Sequence, residues 1–165
     1  MIKGRLPTWL GALAVVAVLV AGWFGWSWWS TAHDATELRA RDRDAVLSAA
    51  SDALVALNTV DYHNPEPAVD RWISVTTGQL GNSLSGDKKT QLDRATQSKT
   101  VAWASVDQAA LTALDQNAGT ARVIAVLDVH LGTNDAAPKD SRARLNAALT
   151  RTPQGWKVNS VQAAS

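Results

Sequence analysis

Ala121-Arg122-Val123-Ile124-Ala125-Val126-Leu127-Asp128-Val129-His130-Leu131 is the stretch whose reading decides the fold. Val123, Ala125, Leu127, Val129 and Leu131 share one side of a period-two repeat, as in a strand with one face toward a core. Working outward, Gly132 to Asp140, with Asn134, Asp135 and Pro138, reads as a loop. Beyond it Ala143, Leu145, Ala147 and Leu149 alternate with Arg142, Arg144, Asn146 and Thr150, which predicts a third strand facing the same core. Pro153-Gln154-Gly155 turns the chain into a last strand in which Trp156 and Val158 alternate with Lys157 and Asn159. Upstream, Asp115-Gln116-Asn117-Ala118-Gly119 is a turn cluster. It follows a first strand in which Val101, Trp103 and Ser105 alternate with Ala102, Ala104 and Val106 and which runs toward Leu114. The sheet is therefore expected over residues 99–162.

Before Lys99 the period is helical. Val46, Ala50, Ala53 or Leu54, and Leu57 recur on one face of a helix expected over residues 34–57. Asn58 and Asn64-Pro65-Glu66-Pro67 break it, and Pro67 suits the opening of a second helix with Ala68, Val69, Trp72, Ile73 and Val75 on its apolar face. Gly78 and Gly81 are read as ending that pattern. Ser85 to Thr96 is read as a third helix, with Asp87 placed for the positive end of its dipole. Helices first and an antiparallel meander afterwards give an α+β domain of about three helices packed on a four-stranded sheet.

Composition excludes several classes. The 165 residues carry 16 basic and 15 acidic side chains, a net charge of +1, so no basic field draws the chain to nucleic acid. The absence of cysteine removes disulfides, thiol nucleophiles and thiolate-bound metals.

The N-terminus reads as a membrane anchor. Thr8 to Trp29 carries no formal charge and would span about 33 Å as a helix. Trp9 at one end, and Trp23, Trp26, Trp28 and Trp29 at the other, form an aromatic belt suited to the two headgroup levels. Lys3 and Arg5 precede the run and the next basic residue is Arg39, so the positive-inside bias puts residues 1–7 in the cytoplasm, 8–29 in the plasma membrane as a single span, and 30–165 outside. Cleavage of a signal peptide at Ser30-Thr31-Ala32 is the competing reading; the long apolar run and its indole-rich end favour an anchor. Ala14, Ala17, Ala21 and Gly25 form a stripe of small side chains that would let a second helix approach closely, although alanine is common throughout the chain.

Chemistry-bearing residues are sparse. Asp128 and His130 share a strand face at a spacing of two, so their side chains could touch and orient an imidazole, but no nucleophile accompanies them in the pattern. Asp61-Tyr62-His63 beside a proline turn would need further ligands to hold a metal, and His33 sits just past the aromatic belt. Arg39, Arg41 and Arg43 alternate with acids, as in i,i+4 pairing, or offer a docking surface for an acidic partner or headgroup. Trp72, Trp103 and Trp156, one on each of three elements, are candidates for the core or for the wall of an apolar pocket. No phosphate-binding glycine loop, dinucleotide fingerprint or nucleophile-elbow motif occurs.

Thr76-Thr77-Gly78-Gln79-Leu80, Ala125-Val126-Leu127-Asp128-Val129, Ala143-Arg144-Leu145-Asn146-Ala147-Ala148-Leu149 and Gly155-Trp156-Lys157-Val158, behind a short tail and one span, resemble the Mce-associated membrane proteins of actinobacteria. The resemblance covers essentially the whole chain. It implies a cystatin-like cone, similar to nuclear transport factor two and to the periplasmic domain of the type IV secretion assembly protein. It also implies a non-enzymatic accessory subunit, without cofactor or catalytic residues, that stabilises an Mce-type lipid import complex in the cell envelope. Mce transporter proteins and the membrane are then the partners. The alternatives are a module that binds or shuttles lipid in an apolar pocket and a type IV secretion assembly-like scaffold. An isomerase of the ketosteroid type would need a buried carboxylate and an oxyanion-stabilising partner in one pocket, and Tyr62 is the single tyrosine.

Overall fold

A computed structural model of the chain describes Glu37 and residues 39–164. The expected tail (1–7) and span (8–29), with Trp9, Trp23, Trp26, Trp28, Trp29 and the stripe Ala14, Ala17, Ala21 and Gly25, lie outside the described residues, as do His33 and the start of the helix expected over 34–57. No helix among the described residues is long and apolar enough to cross a membrane. The chain divides into two compact units, Met1–Asp42 and Arg43–Ser165. In the first, the described residues are helical and Arg41 pairs with Glu37 at 3.5 Å.

In the second unit helix α1, helical through residue 57, presents Val46, Ala50, Ala53 and Leu54 to the core, at most 2% exposed, as its periodicity predicts. A two-residue strand β1 (Val60–Asp61) precedes α2 (Glu66–Val75), α3 (Gly78–Ser85) and α4 (Lys88–Ser98). Four long strands follow: β2 (Thr100–Asp115), β3 (Thr120–Thr133), β4 (Lys139–Thr152) and β5 (Gly155–Ala163). The five strands form one antiparallel sheet in chain order. The α+β class and the meander agree with the sequence pattern, while the counts differ: four helices rather than about three, and five strands rather than four.

The additional helix follows from a contact with the last strand. Thr76 and Thr77 are extended, and Thr77 N–H donates to the Val158 carbonyl at 2.8 Å, so the backbone leaves α2 to touch β5. Gly78, at φ +61°, then turns the chain into α3. Gly81 sits inside α3 where a Cβ would come within 3.1 Å of the Thr76 backbone. The two glycines thus serve a re-entrant turn and a close approach rather than a helix end. Asp87 caps α4 by accepting from Thr90 N–H at 3.3 Å, and the Lys88 ammonium pairs with Asp70 to tie α4 to α2.

The core lies between α1 and one face of the sheet. Ala104, Ala121, Val123, Ala125, Leu127, Ala147, Leu149 and Val158 fill it, so the alternation read in β3 holds through Val129 and that in β4 from Leu145, while Leu131, expected on the core face, is 44% exposed near the end of β3. In β2 the alternation is interrupted twice. Register shifts between Val106 and Gln108, and between Leu111 and Ala113, leave Asp107 and Thr112 as extra residues. Each bulge reverses the side-chain phase, so Ala109, Leu111 and Leu114 still pack on the core.

Candidate functional site

The face of β2, β3 and β4 turned away from α1 carries a continuous polar and aromatic cluster. Register sets Trp103 opposite His130 and Ser105 opposite Asp128, then His130 opposite Asp140 and Asp128 opposite Arg142. Trp103 stacks on His130 with centroids 5.2 Å apart, and the imidazole Nδ1 lies 2.6 Å from Asp140 Oδ1. Arg142 donates from Nε to Asp128 at 2.9 Å and from Nη2 at 3.4 Å, and the same guanidinium lies 3.5 Å from Asp107 at the bulge. The Arg142 hydrogen bond holds the Asp128 carboxyl below its ordinary range. Asp128 and His130, which share this face, are therefore each taken by a different β4 partner rather than by one another. Sequence spacing within β3 cannot show this, because the partners lie ten and fourteen residues away. Ser105 and Ser141 border the same cluster, but among the described residues neither is hydrogen-bonded to His130. Trp103 is 45% exposed, a large apolar surface with one ring face stacked on His130.

A second cluster ties the β1–α2 turn to the β3–β4 loop. Tyr62 Oη donates to Asp135 at 2.8 Å, which raises the phenol above its ordinary value. His63 uses its backbone N–H and Nδ1 on Asp61, at 2.9 and 2.8 Å, and its Nε2 lies 3.5 Å from Asp135. The backbone donor is the larger cause of the lowered Asp61 pKa. Asp135 was invisible as a partner of Asp61-Tyr62-His63 because 73 residues separate it from Tyr62. Among the described residues no group of three or more His, Asp or Glu side chains is arranged to hold a metal.

The three indoles of interest occupy separate places. Trp72 donates Nε1–H to the Ala56 carbonyl at 2.8 Å and so fastens α2 to α1. Trp156 packs against the core with the Arg151 guanidinium 6.0 Å above its ring. Trp103 instead borders a cleft of about 650 Å³ between α1, α2 and β2, with walls that include Val55, Ala56, Ala68, Val101 and Val106. This is the volume of a small-ligand site, and its surface is mostly apolar.

Solved structures share this fold. An IcmL-like type IV secretion system protein from Legionella pneumophila is 17% identical, with a TM-score of 0.57 over 74% of this chain and 91% of that one. The periplasmic domain of DotI is 18% identical, with a TM-score of 0.56 over 72% of this chain and 94% of its own. CagV, a VirB8 homolog of the type IV secretion system from Helicobacter pylori, is 13% identical, with a TM-score of 0.53 over 72% and 95%. At these identities the likeness establishes a common fold. No functionally curated protein matches the chain. A family model matches residues 7–163, and by that match the chain belongs to the family described as Uncharacterized protein Rv1363c/MT1408-like.

Proposed function

We propose that the protein is a non-enzymatic scaffold subunit of a cell-envelope complex, tethered by a single span over residues 8–29 with its α+β domain outside the plasma membrane. The observation that carries this reading is the Trp103 surface: an exposed indole stacked on His130, whose imidazole pairs with Asp140, beside an Arg142 clasped by two carboxylates. An exposed tryptophan beside an arginine is the composition in which binding hot spots are enriched. The structural neighbours support it, since they are type IV secretion proteins and a periplasmic domain with the same architecture. A subunit of this kind acts by mass action, stabilising the assembled complex because it binds that form and not the free parts. The small-residue stripe Ala14, Ala17, Ala21 and Gly25 would add a helix contact within the bilayer.

The finer assignment, to an Mce-type lipid importer, rests on the sequence motifs around Thr76–Leu80 and Gly155–Val158. A lipid-holding role for the domain is the second reading, favoured by the apolar 650 Å³ cleft bordered by Trp103. One experiment addresses these together. The tagged full-length chain is purified in mild detergent from its own membranes, as wild type and as Trp103→Ala, and its companions and bound lipids are identified by mass spectrometry. Envelope-complex subunits that accompany the wild type and are depleted in the variant support the scaffold role. Identical companions in both contradict it, and Mce subunits among them decide the finer assignment. Stoichiometric lipid with no protein companion supports the second reading.

A further inference from the structure

Two bulges bend the face of the sheet turned away from α1, at the end opposite Trp103. One is the extra residue Thr112 in β2; the other is the register shift in the β4–β5 pair between Ala148 and Leu149. Between them lies a hollow of about 510 Å³, bordered by Thr112, Arg122, Asn146, Ala148, Ser160 and Gln162. Four strands contribute to it, with Arg122 opposite Ala148, Ala148 opposite Ser160 and Asn146 opposite Gln162. At about 4.8 Å per strand spacing, Arg122 and Ser160 stand roughly 10 Å apart across the floor.

One polar side chain of the hollow is engaged within the fold. Thr112 Oγ1 donates to the Arg122 carbonyl at 3.1 Å. The side chains of Asn146, Ser160 and Gln162 have no hydrogen-bond partner among the described residues, and the Arg122 guanidinium has no carboxylate within ion-pair distance among them. Among the described residues no acid borders the hollow. The nearest carboxylate along β2, Asp115, is engaged by the turn amides of Asn117 and Ala118 at 3.0 and 2.9 Å. Arg144, two residues from Asn146 on the same face, is also without an ion-pair partner among the described residues. Arg142 farther along β4 is neutralised by Asp107 and Asp128, so excess positive charge on this face collects at the hollow.

We propose that the hollow formed by Arg122, Asn146, Ser160 and Gln162 is a binding site for a phosphate-type oxyanion. The guanidinium supplies the charge and a forked pair of donors, and the two amides and the hydroxyl supply further donors from the neighbouring strands. The bulges have the role they have beside many binding sites, which is to re-aim side chains from a flat face into a concavity. The inference is independent of the scaffold reading, because it uses neither Trp103 nor any partner protein.

The test is a titration of the isotopically labelled full chain in zwitterionic micelles, following the side-chain amide resonances of Asn146 and Gln162 by NMR. Inorganic phosphate is added in one arm, with chloride at matched ionic strength as the reference. In a second arm the chain is placed in phosphatidylcholine nanodiscs with and without phosphatidic acid. The proposal expects saturable shifts at both amides and none at the Trp103 indole. Response to inorganic phosphate identifies a soluble ligand, whereas response only to phosphatidic acid identifies a headgroup. Arg122→Gln should weaken binding at least about tenfold, the scale of one charge-assisted contact, with the fold intact by its amide spectrum. Asn146→Ala, on the exposed face, provides a second variant with the same expected direction. Shifts that chloride reproduces, that fail to saturate, or that persist unchanged in both variants overturn the proposal.

Discussion

Replacing Leu127 by alanine tests the described core directly. Leu127 is fully buried at the middle of β3, with Val106 opposite it on β2 and Ala143 on β4. Eight of the fifteen buried hydrophobic residues described are alanines, and the largest fully buried side chains are Leu54, Leu127 and Leu149. An alanine neighbour has no rotamer that could swing into a vacated space, and a strand paired on both sides cannot shift inward. Removing three carbons therefore forfeits roughly 2.4 kcal/mol of transfer energy at about 0.8 kcal/mol each. A residual cavity of about 60 Å³, at about 24 cal/mol per Å³, adds roughly 1.5 kcal/mol. The expected loss is close to 4 kcal/mol, against about 5–15 kcal/mol of total stability for a domain. Urea unfolding of the full chain, followed by far-ultraviolet circular dichroism, reads this as a lowered midpoint at unchanged slope. Trp103→Ala, on the other face and half exposed, should cost under about 1 kcal/mol in the same assay. A Leu127→Ala loss below about 1.5 kcal/mol, or a Trp103→Ala loss exceeding it, would refute the assignment of the two faces.

Three further outcomes follow from individual contacts. The Arg142 hydrogen bond holds Asp128 below its ordinary 3.8, so its contribution is complete above that value and is lost as pH falls through the lower native value; Asp128→Asn should destabilise near neutrality and converge with wild type in strong acid, as read from urea midpoints across pH. Tyr62 is the single tyrosine, so the tyrosinate absorbance of the chain reports one group; Asp135→Asn should lower its titration midpoint toward the ordinary 10.0, and an unchanged midpoint would deny the Tyr62–Asp135 bond. A Cβ at Gly132 would meet the Ala136 carbonyl oxygen at 2.7 Å, so Gly132→Ala should displace the β3–β4 loop at a cost of about 1–3 kcal/mol, seen as faster amide exchange at Asn134 and Ala136.

Much of the sheet was legible because burial imposes period two, and the alternation in Ala121–Val129 and Leu145–Leu149 carries through to the observed core, whereas Leu131 at the end of β3 is 44% exposed. Legibility failed where distant contacts overrule local pattern. Thr76 and Thr77 leave the helical path because of Val158, and nothing within ten residues announces that contact. Strand β1 is only two residues long and exists by pairing with Val101 and Ala102, so it has no periodicity of its own. His130 and Asp128 were rightly placed on one face, but their partners Asp140 and Arg142 depend on the β3–β4 register. The Arg122 hollow needs two bulges to exist, and a bulge leaves no reliable mark in composition.

The long second strand has a consequence for how copies of the chain coexist. Beyond its two-residue partner, β2 runs from Trp103 to Asp115 as an open margin of the sheet among the described residues. A straight margin of that length would act as a template on which another chain could stack its own backbone. The kinks at Asp107 and Thr112 deny such a stack more than a few consecutive rungs, and Asp107 brings a charge to the first of them. Irregularity along this margin is thus a guard against fibre growth, and straightening it by deleting Asp107 and Thr112 would favour aggregation before it altered the core.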